Sequence, residues 1–139
     1  MTRALAAFAA LAIVAAGPAC NKSSSSSATP TTPTATTTTE TFNGTATVSG
    51  PDIHSFAVAS AGQVNVTLTT ATPNVPLGLG VGTPNGSACV SVAGGFGIVA
   101  ASSTPQLSGV MSPATYCVAV SEANNQTQAV SYTVTVAHP

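Results

Sequence analysis

Over residues 41–139 apolar and polar side chains alternate almost without interruption, and no stretch long enough for a helix repeats its apolar residues at three-and-four spacing. A period of two belongs to a strand lying on a core, because successive side chains leave a pleated strand on opposite faces. The clearest cases set Val64, Val66 and Leu68 against Asn65, Thr67 and Thr69, and Val130, Tyr132, Val134 and Val136 against Ser131, Thr133 and Thr135. Further strands are predicted over 41–48, 53–59, 76–81, 88–92, 106–110 and 115–120. Turn signals separate them at Ser49-Gly50-Pro51, Ala61-Gly62, Pro84-Asn85-Gly86 and Glu122-Ala123-Asn124-Asn125. Seven or eight short strands at this spacing predict an all-β domain, an antiparallel two-sheet β-sandwich of jelly-roll or immunoglobulin-like kind, over residues 40–139.

The first 39 residues follow a different pattern. Met1-Thr2-Arg3 makes a short positive start, and residues 4–16 then run without a polar side chain to Gly17-Pro18-Ala19-Cys20. This is the layout of a signal peptide over residues 1–19. A membrane-spanning helix needs roughly 18 or more apolar residues, and the run stops short of that. Cys20 directly after a small residue resembles the lipobox of bacterial lipoproteins, in which the thiol is acylated and the preceding peptide bond is cut. The resemblance implies a lipid anchor at Cys20 and attachment to a membrane of the cell envelope. Asn21 after the cysteine suggests, by the same resemblance, sorting to the outer membrane. Gly17 stands where lipoboxes usually carry Leu, Val or Ile, which leaves open ordinary secretion with cleavage after Ala19.

Residues 20–39 are predicted to be a flexible linker. After Cys20 they read NKSSSSSATPTTPTATTTT, with no apolar side chain larger than alanine to offset the entropy of ordering. Pro30 and Pro33 bias the segment toward extended conformations, at ~3.1 Å per residue.

Charge narrows the possible partners. The whole chain has two cationic side chains, Arg3 and Lys22, and both precede the predicted domain. Binding to a phosphate backbone, to anionic lipid or to carboxylates by arginine clamps all require fixed positive charge. The domain is therefore not expected to bind nucleic acid. Its acids are Glu40, Asp52 and Glu122, so few that salt bridges are not expected to hold the fold.

Three cysteines leave an odd thiol in an exported chain unless one is consumed. Acylation of Cys20 consumes it and leaves Cys89 and Cys117 as a disulfide pair. Strand phase turns both side chains away from the predicted core face, so they are expected to be neighbours on one sheet surface. The competing reading, two thiols on a metal, lacks the close spacing and histidine partners that zinc uses.

The strand signals come in a definite order. An Asp precedes a strand with alternating side chains (Asp52-Ile53-His54-Ser55-Phe56-Ala57-Val58), and a glycine turn leads to Val64-Asn65-Val66-Thr67-Leu68. A Leu-x-Leu strand (Leu77-Gly78-Leu79), Thr115-Tyr116-Cys117-Val118-Ala119-Val120 and Tyr132-Thr133-Val134-Thr135-Val136 then follow. This order resembles the bacterial pre-peptidase C-terminal family of β-sandwich modules. The resemblance spans residues 42–137 and implies a module without catalytic residues of its own, commonly appended to secreted enzymes.

No catalytic constellation is read from the residues. His54 shares strand phase with Phe56 and Val58, Asp52 follows Gly50-Pro51 in what reads as a turn, and no strained nucleophile turn is present. His138 reads as part of a frayed end. Asp52 and Glu122 are too few and too isolated for calcium, and neither a cofactor nor a metal is expected. Tryptophan is absent, and Tyr116 and Tyr132 lie in core phase. That leaves Phe96, within Gly94-Gly95-Phe96-Gly97, which is expected to plug the core; the alternative has its ring standing out on a loop as a binding residue. Gly78, Gly80 and Gly82 give one strand a flat face, which fits either a close partner or tight internal packing.

The sequence thus predicts a non-catalytic envelope module that contacts a protein or a matrix polysaccharide. The alternatives are an accessory domain docking onto a secreted hydrolase and a passive surface coat. An apolar surface around Phe96 would favour binding, and an exterior covered in threonine would favour a coat.

Overall fold

The computed structural model describes residues 36–123 and 126–139. The signal peptide, Cys20 with its predicted acylation, most of the linker, and Asn124-Asn125 of the last predicted turn lie outside the described residues. Eight strands follow in order: β1 (Thr38–Ala46), β2 (Asp52–Val58), β3 (Gly62–Thr72), β4 (Leu77–Asn85), β5 (Ala88–Val99), β6 (Leu107–Met111), β7 (Ala114–Ser121) and β8 (Val130–His138). They form two four-stranded sheets, sheet I in the order β1-β8-β3-β6 and sheet II in the order β2-β7-β4-β5. All pairings are antiparallel.

The pairing scheme identifies the topology. β1 pairs with β8, β2 with β7, β3 with β6 and β4 with β5, as in one long hairpin of four strands against four. Two further pairings, β3 with β8 and β4 with β7, join these strand pairs into the two sheets. This is a jelly roll rather than an immunoglobulin-like sandwich.

The predicted alternation is the core. β8 buries Val130, Tyr132, Val134 and Val136 and turns the residues between them outward. Val64, Val66 and Leu68 of β3 join them from sheet I. Phe56, Val58, Leu77, Leu79, Val81, Val118 and Val120 close the core from sheet II. Leu77 and Leu79 are fully buried, and each such side chain contributes about 1.5–3 kcal/mol by leaving water.

Where strand pairing lapses, side chains replace it. β6 pairs with β3 as far as Val66, and the register of β3 on β8 shifts between Leu68 and Thr70. The Gln106 amide spans this gap. Its Oε1 accepts from the Leu68 backbone N–H at 2.8 Å, and its Nε2 donates to the Leu68 carbonyl at 3.2 Å. A buried backbone group without a partner would cost about 1–3 kcal/mol, and among the described residues no buried side-chain nitrogen or oxygen lacks one.

Several boundaries differ from the sequence reading. β1 begins at Thr38, two residues inside the predicted linker, because Thr38 and Thr39 pair with His138 and Ala137. Asp52 opens β2 instead of standing in a turn. β4 runs through Pro84 to Asn85, which leaves a two-residue turn at Gly86-Ser87, with Gly86 at a φ of 60°. β5 extends to Val99, so the glycine-rich segment around Phe96 is strand and not loop.

Candidate interaction face

Sheet II turns one surface toward the core and leaves the other unpaired with any second layer among the described residues. Its outer surface follows from register. Ile53 pairs with Ala119, Ala119 with Gly80, and Gly80 with Phe96, so one row across the sheet reads Ile53, Ala119, Gly80, Phe96. The next rows hold Ser121, Gly78 and Ile98 on one side, and Ser55, Cys117, Gly82 and Ser91 on the other. No residue in these rows is charged.

Phe96 and Ile98 are the prominent features of this surface, 58% and 59% exposed. The Phe96 ring leans from β5 over the glycines of β4. Its Cε2 and Cζ stand 3.4 and 3.5 Å from where a Gly78 Cβ would be, and its Cδ2 stands 3.6 Å from that of Gly80. The ring therefore rests on backbone and presents more than half of its surface to solvent. The Ser121 hydroxyl stands over Gly78, and the Ser91 hydroxyl lies 3.6 Å from the Gly80 position. The flat strand predicted from the glycine row is thus a seat for Phe96 itself. Phe96 neither plugs the core nor stands on a loop. The structure places it as an exposed ring on an edge strand.

Gly82 serves a different purpose from Gly78 and Gly80. A Cβ there would collide with the backbone carbonyl of Val90. Between Gly80 and Gly82 the register of β5 slips: two steps along β4, from 80 to 82, correspond to five along β5, from 96 to 91. The three extra residues form a bulge over Val92, Ala93, Gly94 and Gly95, with Gly94 in the left-handed region at a φ of 72°. Among the described residues β5 is an edge strand paired with β4 alone, and the Cys89–Cys117 disulfide ties it to β7 across β4, with 5.9 Å between the two Cα atoms. Both cysteines belong to the outer surface of sheet II, as strand phase predicts, and Cys117 is fully buried there.

The bulge of β5 and the edge of β6 border an open cleft of about 370 Å³. It reaches core residues Val64, Val66 and Val81, and no charged side chain lines it.

The polar groups weighed for catalysis are brought together, but as a structural tie. Tyr132 donates its hydroxyl proton to Asp52 Oδ2 at 2.8 Å, so His54 Nε2–H donates to the Tyr132 oxygen at 2.9 Å. The Thr45 backbone N–H also reaches Asp52 Oδ2, at 3.4 Å. This links β1, β2 and β8, and a side chain at Gly44 would collide with both the Asp52 carboxylate and the Tyr132 hydroxyl. With its Nε2 proton committed to the phenol, His54 is held by its ring stack on Phe42 at 5.0 Å, and no serine or cysteine belongs to the cluster. Burial first, then the hydrogen bond to Asp52 and that carboxylate's charge, hold the Tyr132 phenol protonated well above its usual range.

His138 corrects the frayed-end reading. It is buried on β8, its Nε2 contacts Glu40 Oε1 at 2.9 Å, and its ring packs on Phe56 at 5.5 Å. Two of the three acids therefore face histidines: Glu40 faces His138, and Asp52 lies 3.7 Å from His54 Nε2. Among the described residues no group of three or more His, Cys, Asp and Glu side chains is placed to hold a metal ion.

The chain matches no protein-family model and no curated protein sequence.

Proposed function

We propose that this chain is a non-catalytic cell-envelope module, anchored to a bacterial membrane through acylated Cys20, that contacts another envelope component through the outer surface of sheet II. The single observation that carries the reading is the exposed pair Phe96 and Ile98 on an uncharged, glycine-floored sheet face. Phe96 and Ile98 are two positions apart on one face of β5, so they make contiguous apolar surface of the kind that marks an interaction site. A passive coat has no use for an aromatic ring seated on glycines. The outer-membrane location and the similarity to pre-peptidase C-terminal modules belong to the same proposal. The lipid anchor and the proline-containing linker then serve to hold the face away from the bilayer.

Photo-crosslinking in living cells tests it. A photoreactive side chain at position 98 lies beside Phe96 and leaves the ring intact. Recurrent capture of one component by this variant, with no capture from position 133 on the outer surface of sheet I, is the expected result. Equal labelling from both positions, or labelling of bulk lipid alone, would replace the module reading with that of a coat. Intact mass of the membrane-extracted chain tests the anchor: a chain that begins at residue 20 with added acyl mass is expected, and an unmodified thiol there would remove the anchor from the proposal.

A further inference from the structure

We infer that the Phe96 face is a binding platform for an uncharged polysaccharide, an inference that rests on the module reading above and names its ligand class. Three observations carry it. First, the ring lies on backbone rather than among side chains, its Cδ2, Cε2 and Cζ atoms 3.4–3.6 Å from the Gly78 and Gly80 Cβ positions, and it remains 58% exposed. A pyranose ring has an apolar face of C–H groups, and an exposed aromatic ring covers such a face without needing to match a particular side chain. Second, the Ser121 and Ser91 hydroxyls flank the ring over the same two glycines. A serine hydroxyl both donates and accepts, as sugar hydroxyls do, so it matches them in either sense. Third, the surrounding rows contain no charged residue, and the domain has no lysine or arginine from residue 41 onward. An anionic polymer finds no counter-charge on this face, and a cationic one finds no carboxylate.

The geometry also favours a polymer over a free sugar. Ile98, paired with Gly78 and 59% exposed, continues the apolar surface beside Phe96, while at the other end of β4 the Val90–Ser91 backbone closes over Gly82. Affinity then comes from repeated weak contacts along a chain. A protein partner or a second copy of this chain would use the same apolar area without requiring the flanking hydroxyls.

Co-sedimentation of the full chain, purified from whichever cell fraction carries it, with particles of cellulose, curdlan and chitin tests this. Cross-linked polygalacturonate is the anionic control. Binding to at least one neutral polymer is expected, unchanged between 50 and 500 mM salt because no ion pair is involved. Phe96→Ala is expected to weaken it at least tenfold, Phe96→Tyr to retain it, and S91A/S121A to weaken it several-fold. Thermal melts of each variant show that loss of binding is not loss of fold. Binding to none of the three neutral polymers, equal binding by Phe96→Ala, or binding to the anionic control that disappears with salt would each overturn the inference. So would a Phe96-dependent dimer in sedimentation equilibrium. If the neutral polymers fail while position 98 still captures one protein in cells, the glycan is removed and the module reading stands. If both fail, both are withdrawn.

Discussion

Removing the Cys89–Cys117 cross-link probes the strand that carries Phe96. The bridge closes a loop of 28 residues that contains most of β5, all of β6 and the start of β7. On the chain-entropy account, releasing a loop of that length frees the unfolded ensemble by about 3.5 kcal/mol. A domain of this size has a total stability on the order of 5–10 kcal/mol, so the loss is a large fraction of it. The C89A/C117A variant is the cleaner perturbation, because serine would bury a hydroxyl at the fully buried position 117. With an m-value of about 1.5 kcal/mol/M in urea, the midpoint is expected to fall by roughly 2.3 M. Tyrosine fluorescence or far-ultraviolet circular dichroism follows the transition, since the chain has no tryptophan. Reduced wild type is expected to unfold close to the double variant, with any difference measuring the void left by two sulfur atoms. Hydrogen exchange adds a local readout. Among the described residues β5 pairs with β4 alone and carries the three-residue slip, so its amides are expected to lose protection before those of β3 and β8. A midpoint shift below about 0.5 M, or uniform loss of protection across both sheets, would refute the view that the bridge chiefly restrains the β5 edge.

The other predictions concern the polar tie and the glycines. Because Tyr132 titrates higher in the folded than in the unfolded chain, its contribution to stability is complete below about pH 10 and is lost as pH rises beyond that. In a Tyr116→Phe background, which leaves Tyr132 as the remaining tyrosine, phenolate absorbance near 295 nm is expected to appear only with unfolding; a normal titration in the folded domain would contradict the buried hydrogen bond. Tyr132→Phe removes the donor to Asp52 and the acceptor for His54, and is expected to cost about 1–2 kcal/mol, at the lower end for a charged hydrogen bond because Asp52 is partly exposed. Denaturant titration checks it. Gly82→Ala drives a Cβ against the Val90 carbonyl and is expected to cost about 2 kcal/mol or more, whereas Gly109→Ala, with open space around it, should stay within about 0.5 kcal/mol.

The fold class was legible in the sequence because the cause of the alternation is local. A strand with one face on a core must place apolar residues at every second position, and Val64-Val66-Leu68 and Val130-Tyr132-Val134-Val136 carry that constraint in their own order. The disulfide pairing was legible too, by counting and strand phase. What the sequence could not fix were relations between distant segments. His138 finds Glu40 at a sequence separation of 98, and His54 reaches Tyr132 at a separation of 78, so nothing in the neighbourhood of either histidine announces its partner.

The choice of jelly roll over an immunoglobulin-like sandwich is of the same kind, since both are built from similar short alternating strands and are told apart by which strand pairs with which. Phe96 shows the difference most sharply. Its glycine-rich surroundings suggest a loop when read along the chain, yet those glycines mark a strand that slips its register against β4. The seat for the ring, Gly78 and Gly80, lies on that neighbouring strand. Local pattern therefore determined which residues form strands and which of their faces are apolar, because burial acts on each strand separately. Tertiary structure alone decided that an aromatic ring stands exposed on a glycine floor, because that arrangement exists only once β4 and β5 have found their register.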